Sequence, residues 1–265
     1  MERIQVGTDT FLAAQVKGKG VPIIFLNGFG AYQQVWTAQS DRFSRQYQTI
    51  TYDYRGQGQS TGIVAKSLKE LANDLKTLLN KLKVKEPVVV AHSMGASVAW
   101  TLRKYFPEIK VRGMVIVDQS PKMLNTDDWE YGFTGLNRQN IKEHLSHRSA
   151  LHESLNGLVP EVMRPLIKAE LEHPFIRSDG RELLLEHITM DWREVVLEEK
   201  NPVLYVNALQ SPYFKTGYGE WLKLRSSMVQ VANIIDTGHV IMAEVPCAFN
   251  QTLQHFLKQL KLPKI

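Results

Sequence analysis

Runs of β-branched and other apolar residues alternate along this chain with stretches whose apolar positions recur at helical spacing. Residues 2–6 and 10–16 alternate on either side of Gly7-Thr8-Asp9 and predict an opening β-hairpin. Val21 to Leu26, Thr49 to Asp53, Val88 to Ala91, Gly113 to Val117, Val203 to Asn207 and Val229 to Ile235 read as short strands, several of them fully buried. Helical patterns lie between them, over 33–43, from Ser67 onward and from Ser93 to near Pro107. In the second of these Leu68, Leu71, Leu75, Leu78, Leu79 and Leu82 bury one face. Ser67, with Glu70 three residues on, reads as its capping box, and Pro87 stops the pattern. A closing helix turns Phe249, Leu253, Phe256, Leu257 and Leu260 toward the core.

Strand and helix alternating in units of this length predict an α/β fold, a mostly parallel central sheet with helices on both faces. From about Pro121 to Lys200 the alternation stops, and the region reads as helical, polar and slightly acidic. The division that follows is a core of residues 1–120 and 201–265 with a helical cap inserted over 121–200. Ligands of such sheets collect at the carboxyl ends of the strands, and Phe29, Ser93 and Asp118 all fall just beyond such ends.

Composition narrows the class. The 43% hydrophobic and 22% charged fractions are those of an ordinary globular protein. The net charge of +5 raises a nucleic-acid partner, but the basic residues are scattered among acids, so none is expected. The single cysteine, Cys247, excludes an internal disulfide and suits a reducing compartment; its place in the closing helix predicts a core position. The first residues lack the apolar run of a signal peptide, and no stretch approaches ~18 apolar residues, so the expectation is a cytoplasmic protein with no membrane partner. The oligomeric state is not written in these features.

Chemistry enters at Val88-Val89-Val90-Ala91-His92-Ser93-Met94-Gly95-Ala96. A serine between a buried strand and a helix sits on a sharp turn that lifts its hydroxyl out of the sheet, the setting the G-x-S-x-G nucleophile motif requires. Ala91 stands at the first glycine position, the smallest possible departure. The hydroxyl is a poor nucleophile without a base, and an imidazole titrating near ~6.5 can serve.

With these pieces in place the chain resembles the α/β-hydrolase superfamily over nearly its full length, and the serine carboxylesterase or acyl-hydrolase type within it. Asn27-Gly28-Phe29-Gly30 is similar to the family's His-Gly-x-Gly loop, with asparagine in the histidine position. Asp53-Tyr54-Arg55-Gly56-Gln57-Gly58-Gln59-Ser60 matches its D-x-R-G-x-G-x-S segment. Thr237-Gly238-His239, followed by Glu244, Pro246 and Phe249, resembles its catalytic-histidine segment. The resemblance implies a Ser93 nucleophile, a His239 base and an oxyanion hole from the backbone N–H groups of Phe29 and Met94. The family's commonest acid follows the strand 203–207, where this chain has Ser211; some relatives place it after the preceding strand, where this chain has Asp118. Ser93, His239 and Asp118 are the expected triad, with Asp236, a cap carboxylate or no acid at all as alternatives.

Other features receive plainer readings. Asp53 and Arg55 hold the turn after their strand. Gln57-Gly58-Gln59-Ser60 lacks the lysine of a phosphate loop. His144, His147 and His152 read as a solvated cap helix rather than a metal site, and His92 as a packed neighbour of the elbow. Trp129, Tyr131, Phe133, Trp192, Tyr213 and Phe214 offer an acyl pocket, with at least half of them expected in packing.

The expected function is a serine hydrolase that cleaves a small uncharged ester through an acyl-enzyme, and the resemblance implies no metal or organic cofactor. Ser93 in place of an aspartate argues against the dehalogenase and epoxide-hydrolase branches. Amide, thioester or carbon–carbon hydrolysis, perhydrolysis and proline-type aminopeptidase action remain open, as does a non-catalytic ligand sensor.

Overall fold

Eight strands form one sheet in the computed structural model, which describes residues 1–146, 152–260 and 262. The opening hairpin is β1 (Glu2–Gln5) and β2 (Phe11–Lys17). Next come β3 (Pro22–Leu26), β4 (Gln48–Tyr52), β5 (Val88–His92), β6 (Gly113–Val117), β7 (Val203–Ala208) and β8 (Val229–Ile234). Across the sheet the order is β1-β2-β4-β3-β5-β6-β7-β8. The last six strands are mutually parallel, and β2 joins them antiparallel to β4. From β3 the chain steps outward to β4 and then returns across β3 to β5. The reversal opens a crevice at the carboxyl ends of β3 and β5, where ligands of such sheets bind.

Parallel pairing needs crossovers, and helices supply them. They are α1 (Thr37–Phe43), α2 (Leu68–Lys81) and α3 (Met94–Tyr105). Between β6 and β7 lie α4 (Ile141–Ser146), α5 (Pro160–Glu172), α6 (Arg181–Thr189) and α7 (Arg193–Leu197). The chain ends through α8 (Tyr218–Lys223), α9 (Ile241–Glu244) and α10 (Pro246–Gln259).

Side chains of a strand point alternately to the two faces, so each strand feeds two cores. Ile24, Leu26, Val89, Ala91, Met114 and Ile116 pack with the leucines of α2 and with Val98, Trp100 and Leu102 of α3. Their neighbours Ile23, Phe25, Val88, Val90, Val115 and Val117 pack with Trp36, Phe43 and the Phe249, Leu253, Phe256 and Leu257 face of α10. Burial on both faces explains why these strands read as unbroken apolar runs.

Four expectations need adjustment. The helix over 33–43 opens as a tight 3-10 turn, Gln33–Trp36, because Gln33 is tied through its main chain and side chain to Asp53 and through its side chain to Ala13. Ser67 caps α2 by accepting from Glu70 N–H, but the Glu70 carboxylate accepts from Lys66 N–H instead of completing the reciprocal box. Arg55 reaches past its turn to pair with Asp74 and Glu70 of α2. Cys247 is exposed, not in the core: it lies two residues before Phe249, about 200° around the helix from the buried face.

Candidate active site

No residue separates β5 from α3 except Ser93, and the turn it makes is sharp. Its backbone adopts φ 52° and ψ −126°, outside the region open to most L-residues. Holding such a conformation costs on the order of 1–3 kcal/mol, which the buried strand before it and the helix behind it must offset. Gly95 makes the turn possible: a Cβ there would lie 2.6 Å from Leu26 O and 2.8 Å from Asn27 O. Ala91, at the other glycine position, is fully buried in register with Leu26 and Ile116, where a methyl fits the sheet. Met94 opens α3, so its N–H belongs to the first turn, which has no intrahelical acceptor.

The loop after β3 packs directly against this elbow. A Cβ on Gly28 would sit 3.2 Å from both Ser93 Cβ and His92 Nδ1. Asn27, in the position where the family has histidine, donates to Tyr52 O and so pins the loop to β4. The Phe29 ring meets Phe175 edge-on at 5.2 Å, with the Arg177 guanidinium 5.4 Å from its centroid. Tyr32 donates its hydroxyl hydrogen to His173 O and accepts from Phe175 N–H. The segment between β6 and β7 thereby clamps the loop that carries the Phe29 N–H.

The third corner is the loop after β8. His239 is buried, and its Nδ1 lies 2.8 Å from Asp118 Oδ2. A carboxylate accepts, so the imidazole proton sits on Nδ1 and Nε2 is left as the basic nitrogen. Asp118 follows directly after β6 with φ 44° and is 1% exposed, yet its carboxylate is well served. Oδ1 accepts from Ala208 N–H at 3.1 Å, and Oδ2 accepts from the Ser211 hydroxyl at 2.6 Å as well as from His239. Asp236 is exposed, and its main chain holds Gln210 and Asn156, so the structure brings Asp118 and not Asp236 to the imidazole. Glu244 secures the histidine loop by accepting from Gly238, Leu155 and Asn156 N–H groups.

His92 lies against the same ring, 4.4 Å between centroids, and donates Nε2–H to His239 O at 3.0 Å. Burial, then the neighbouring His239, holds its pKa well below the ordinary imidazole value. It is a neutral strut for the histidine loop.

Ser93, His239, Phe29 and His92 line one cavity of about 220 Å³. Three of the six aromatic candidates, Phe133, Tyr213 and Phe214, form its walls. Trp129 instead packs with Tyr131 and Trp221, and Trp192 with Trp100. His144 is not solvated as expected: it is half-buried, lines the cavity and meets Phe133 edge-on at 4.7 Å. His152 is exposed, and His147 lies outside the described residues. The sequence reading missed His187, Ser97, Glu153 and Arg177. Ser97 had a signal, one helical turn after Ser93; the other three had none, because the path of the chain between β6 and β7 leaves no periodic trace.

Comparison with known proteins agrees with this architecture. Residues 21–140 match the family model described as alpha/beta hydrolase fold. The chain is 22% identical to 3-oxoadipate enol-lactonase 1 of Acinetobacter baylyi, over 94% of each protein. It is 31% identical to 2-(acetamidomethylene)succinate hydrolase of Mesorhizobium japonicum, over 45% of this chain and 42% of that one. Matches to relatives at that level of identity span less than half of the chain. The solved esterase EaEST from Exiguobacterium antarcticum superposes with a TM-score of 0.83 at 16% identity, over 97% of this chain and 99% of that one, so the whole architecture is shared. This chain thus has the α/β-hydrolase fold, shared with proteins that are themselves hydrolases and esterases.

Proposed function

We propose that this chain is a hydrolase that cleaves small uncharged carboxylic esters through an acyl-enzyme, with Ser93 as nucleophile, His239 as base and Asp118 as the acid. The observation that carries this reading is the buried Asp118–His239 contact at 2.8 Å, in a cavity that Ser93 also lines. With its proton held on Nδ1, the imidazole takes the Ser93 proton at Nε2 as the hydroxyl attacks the ester carbonyl. The negative charge on the tetrahedral oxygen falls to the Phe29 and Met94 N–H groups; losing one such donor typically costs about 3 kcal/mol of transition-state stabilisation. The imidazolium then returns its proton to the leaving alcohol. Water, activated by the same nitrogen, resolves the acyl-enzyme. The walls of Phe133, Tyr213 and Phe214 and the cavity of about 220 Å³ favour short apolar acyl chains.

Labelling with a serine-directed fluorophosphonate, read by mass spectrometry, tests the nucleophile. The expected adduct is on Ser93 and is absent from Ser93→Ala. An unlabelled Ser93 favours a ligand sensor over an enzyme. A p-nitrophenyl ester series from acetate to decanoate, beside matched amides, then tests the bond and chain length. Faster turnover of the amides overturns the ester reading.

A further inference from the structure

The cavity holds a buried histidine for which the chemistry above has no use. His187, on α6, is 4% exposed and lines the cavity. Its Nδ1 lies 2.8 Å from the hydroxyl of Ser97. Ser97 stands four residues after Ser93 on α3, so one helical turn separates this pair from the nucleophile.

The pairing decides where the imidazole proton resides. Ser97 is 1% exposed, and its hydroxyl has a single hydrogen to donate. A buried donor left without an acceptor costs more than an unused lone pair, and the acceptor in reach is His187 Nδ1. The hydroxyl therefore donates to Nδ1, and the ring carries its proton on Nε2. Burial, with His239 and His144 nearby, pushes the His187 pKa down to about 3, so the ring is neutral at working pH. Among the described residues nothing accepts from Nε2–H. The cavity thus contains a fixed, uncharged hydrogen-bond donor, in a wall that also includes Met123, Phe133 and Leu184.

Such a donor discriminates by what it loses. A purely alkyl substrate that displaces water from it leaves Nε2–H unpaired, whereas a substrate with an acceptor at that depth restores the bond. We propose that His187, held by Ser97, is a specificity-determining subsite that selects esters carrying a neutral hydrogen-bond acceptor, an oxo group above all, a few bonds from the scissile carbonyl. This rests on the assignment of Ser93 as the attacking residue. It replaces an indifferent apolar pocket with one that prefers oxo-acyl esters.

Matched ester pairs test it. The p-nitrophenyl esters of 4-oxopentanoate and 5-oxohexanoate are compared with those of 4-methylpentanoate and 5-methylhexanoate, which have the same shape without the acceptor. The readout is the ratio of kcat/KM within each pair, taken for wild type, His187→Leu, His187→Gln and Ser97→Ala. Intrinsic reactivity and any uniform loss cancel when variant and wild-type ratios are compared. For at least one pair, the oxo preference is expected to fall roughly tenfold in His187→Leu, the worth of one buried hydrogen bond. It falls in Ser97→Ala too, and is partly restored in His187→Gln, which keeps an N–H near the Nε2 position. An unchanged ratio in His187→Leu overturns the proposal, as does a wild type that prefers neither oxo ester. Should His187→Leu fail to fold, an unchanged ratio in Ser97→Ala overturns it equally. Turnover that survives in Ser93→Ala would instead refute the nucleophile, so the two failures are distinct.

Discussion

Ser211 donates its hydroxyl hydrogen to Asp118 Oδ2 at 2.6 Å, onto the same oxygen that accepts from His239 Nδ1 at 2.8 Å. The residue that stands where the family most often has its acid is therefore in contact with the acid this chain uses in its place under the proposed mechanism. Ser211 Oγ also accepts from the N–H groups of Tyr213 and Phe214, two residues whose rings flank His239. One hydroxyl ties the carboxylate to the segment that walls the imidazole.

Removing that hydroxyl tests its worth. A hydrogen bond to a charged group contributes about 1.5–3 kcal/mol, and Ser211→Ala leaves Asp118 with one partner fewer. The expected outcome is a fall in kcat of roughly tenfold with a smaller change in KM, measured on a p-nitrophenyl ester. An unaltered kcat would mean that Ala208 and His239 hold the carboxylate well enough alone.

Asp118→Asn changes charge and little else. With its carbonyl kept toward Ala208 N–H, the amide turns its NH2 group to both Ser211 and Nδ1 and favours the wrong imidazole tautomer. Turnover is expected to drop by about four orders of magnitude with a melting temperature close to wild type. Activity near the wild-type level would remove Asp118 from the proposed triad.

Gly95→Ala probes the elbow itself. The new methyl would stand 2.6 Å from a backbone oxygen of β3, which cannot swing aside as a side chain could. The substitution is expected to destabilise the fold by about 1–3 kcal/mol and to lower ester turnover through a displaced Ser93. Urea unfolding and steady-state kinetics read the two effects separately.

Acid should loosen this fold through buried imidazoles. His187 is held down to about 3, mainly by burial, and His92 well below its ordinary value for the same reason. Unfolded, each takes a proton near ~6.5, so below that pH the unfolded chain binds protons that the folded one refuses. Stability from these groups is complete above ~6.5 and is lost as pH falls toward the folded values, at up to ~1.4 kcal/mol per pH unit for each ring. The urea midpoint is expected to be level between about pH 7 and 8 and to decline below about 6. His187→Leu should flatten part of that decline; an equal slope in the variant would show that other groups carry it.

Much of this protein is local. Periodicity marked all eight strands: alternation marked the opening hairpin, and burial on both faces of the parallel sheet wrote β3, β5, β6 and β7 as short apolar runs. The elbow was legible because a strand, a lone turn residue and a helix follow one another without a gap. The segment between β6 and β7 was legible only as an interruption of that alternation, and its helices α4, α5 and α6 each contribute a side chain to the cavity.

What periodicity could not reach were the pairings across the fold. Asp118 and His239 are 121 positions apart, and Ser97 and His187 are 90 apart. Cys247 shows the same limit on a smaller scale, since an apolar helix does not state which of its residues faces the core. The chain alone determined the parallel sheet, the serine at its turn and the late histidine, since each depends on neighbours in sequence. Tertiary structure decided which carboxylate meets the imidazole, which way each ring nitrogen points and which side chains between β6 and β7 enter the cavity. Those choices depend on how separate strand ends and helices converge over one crevice, and no local propensity encodes that convergence.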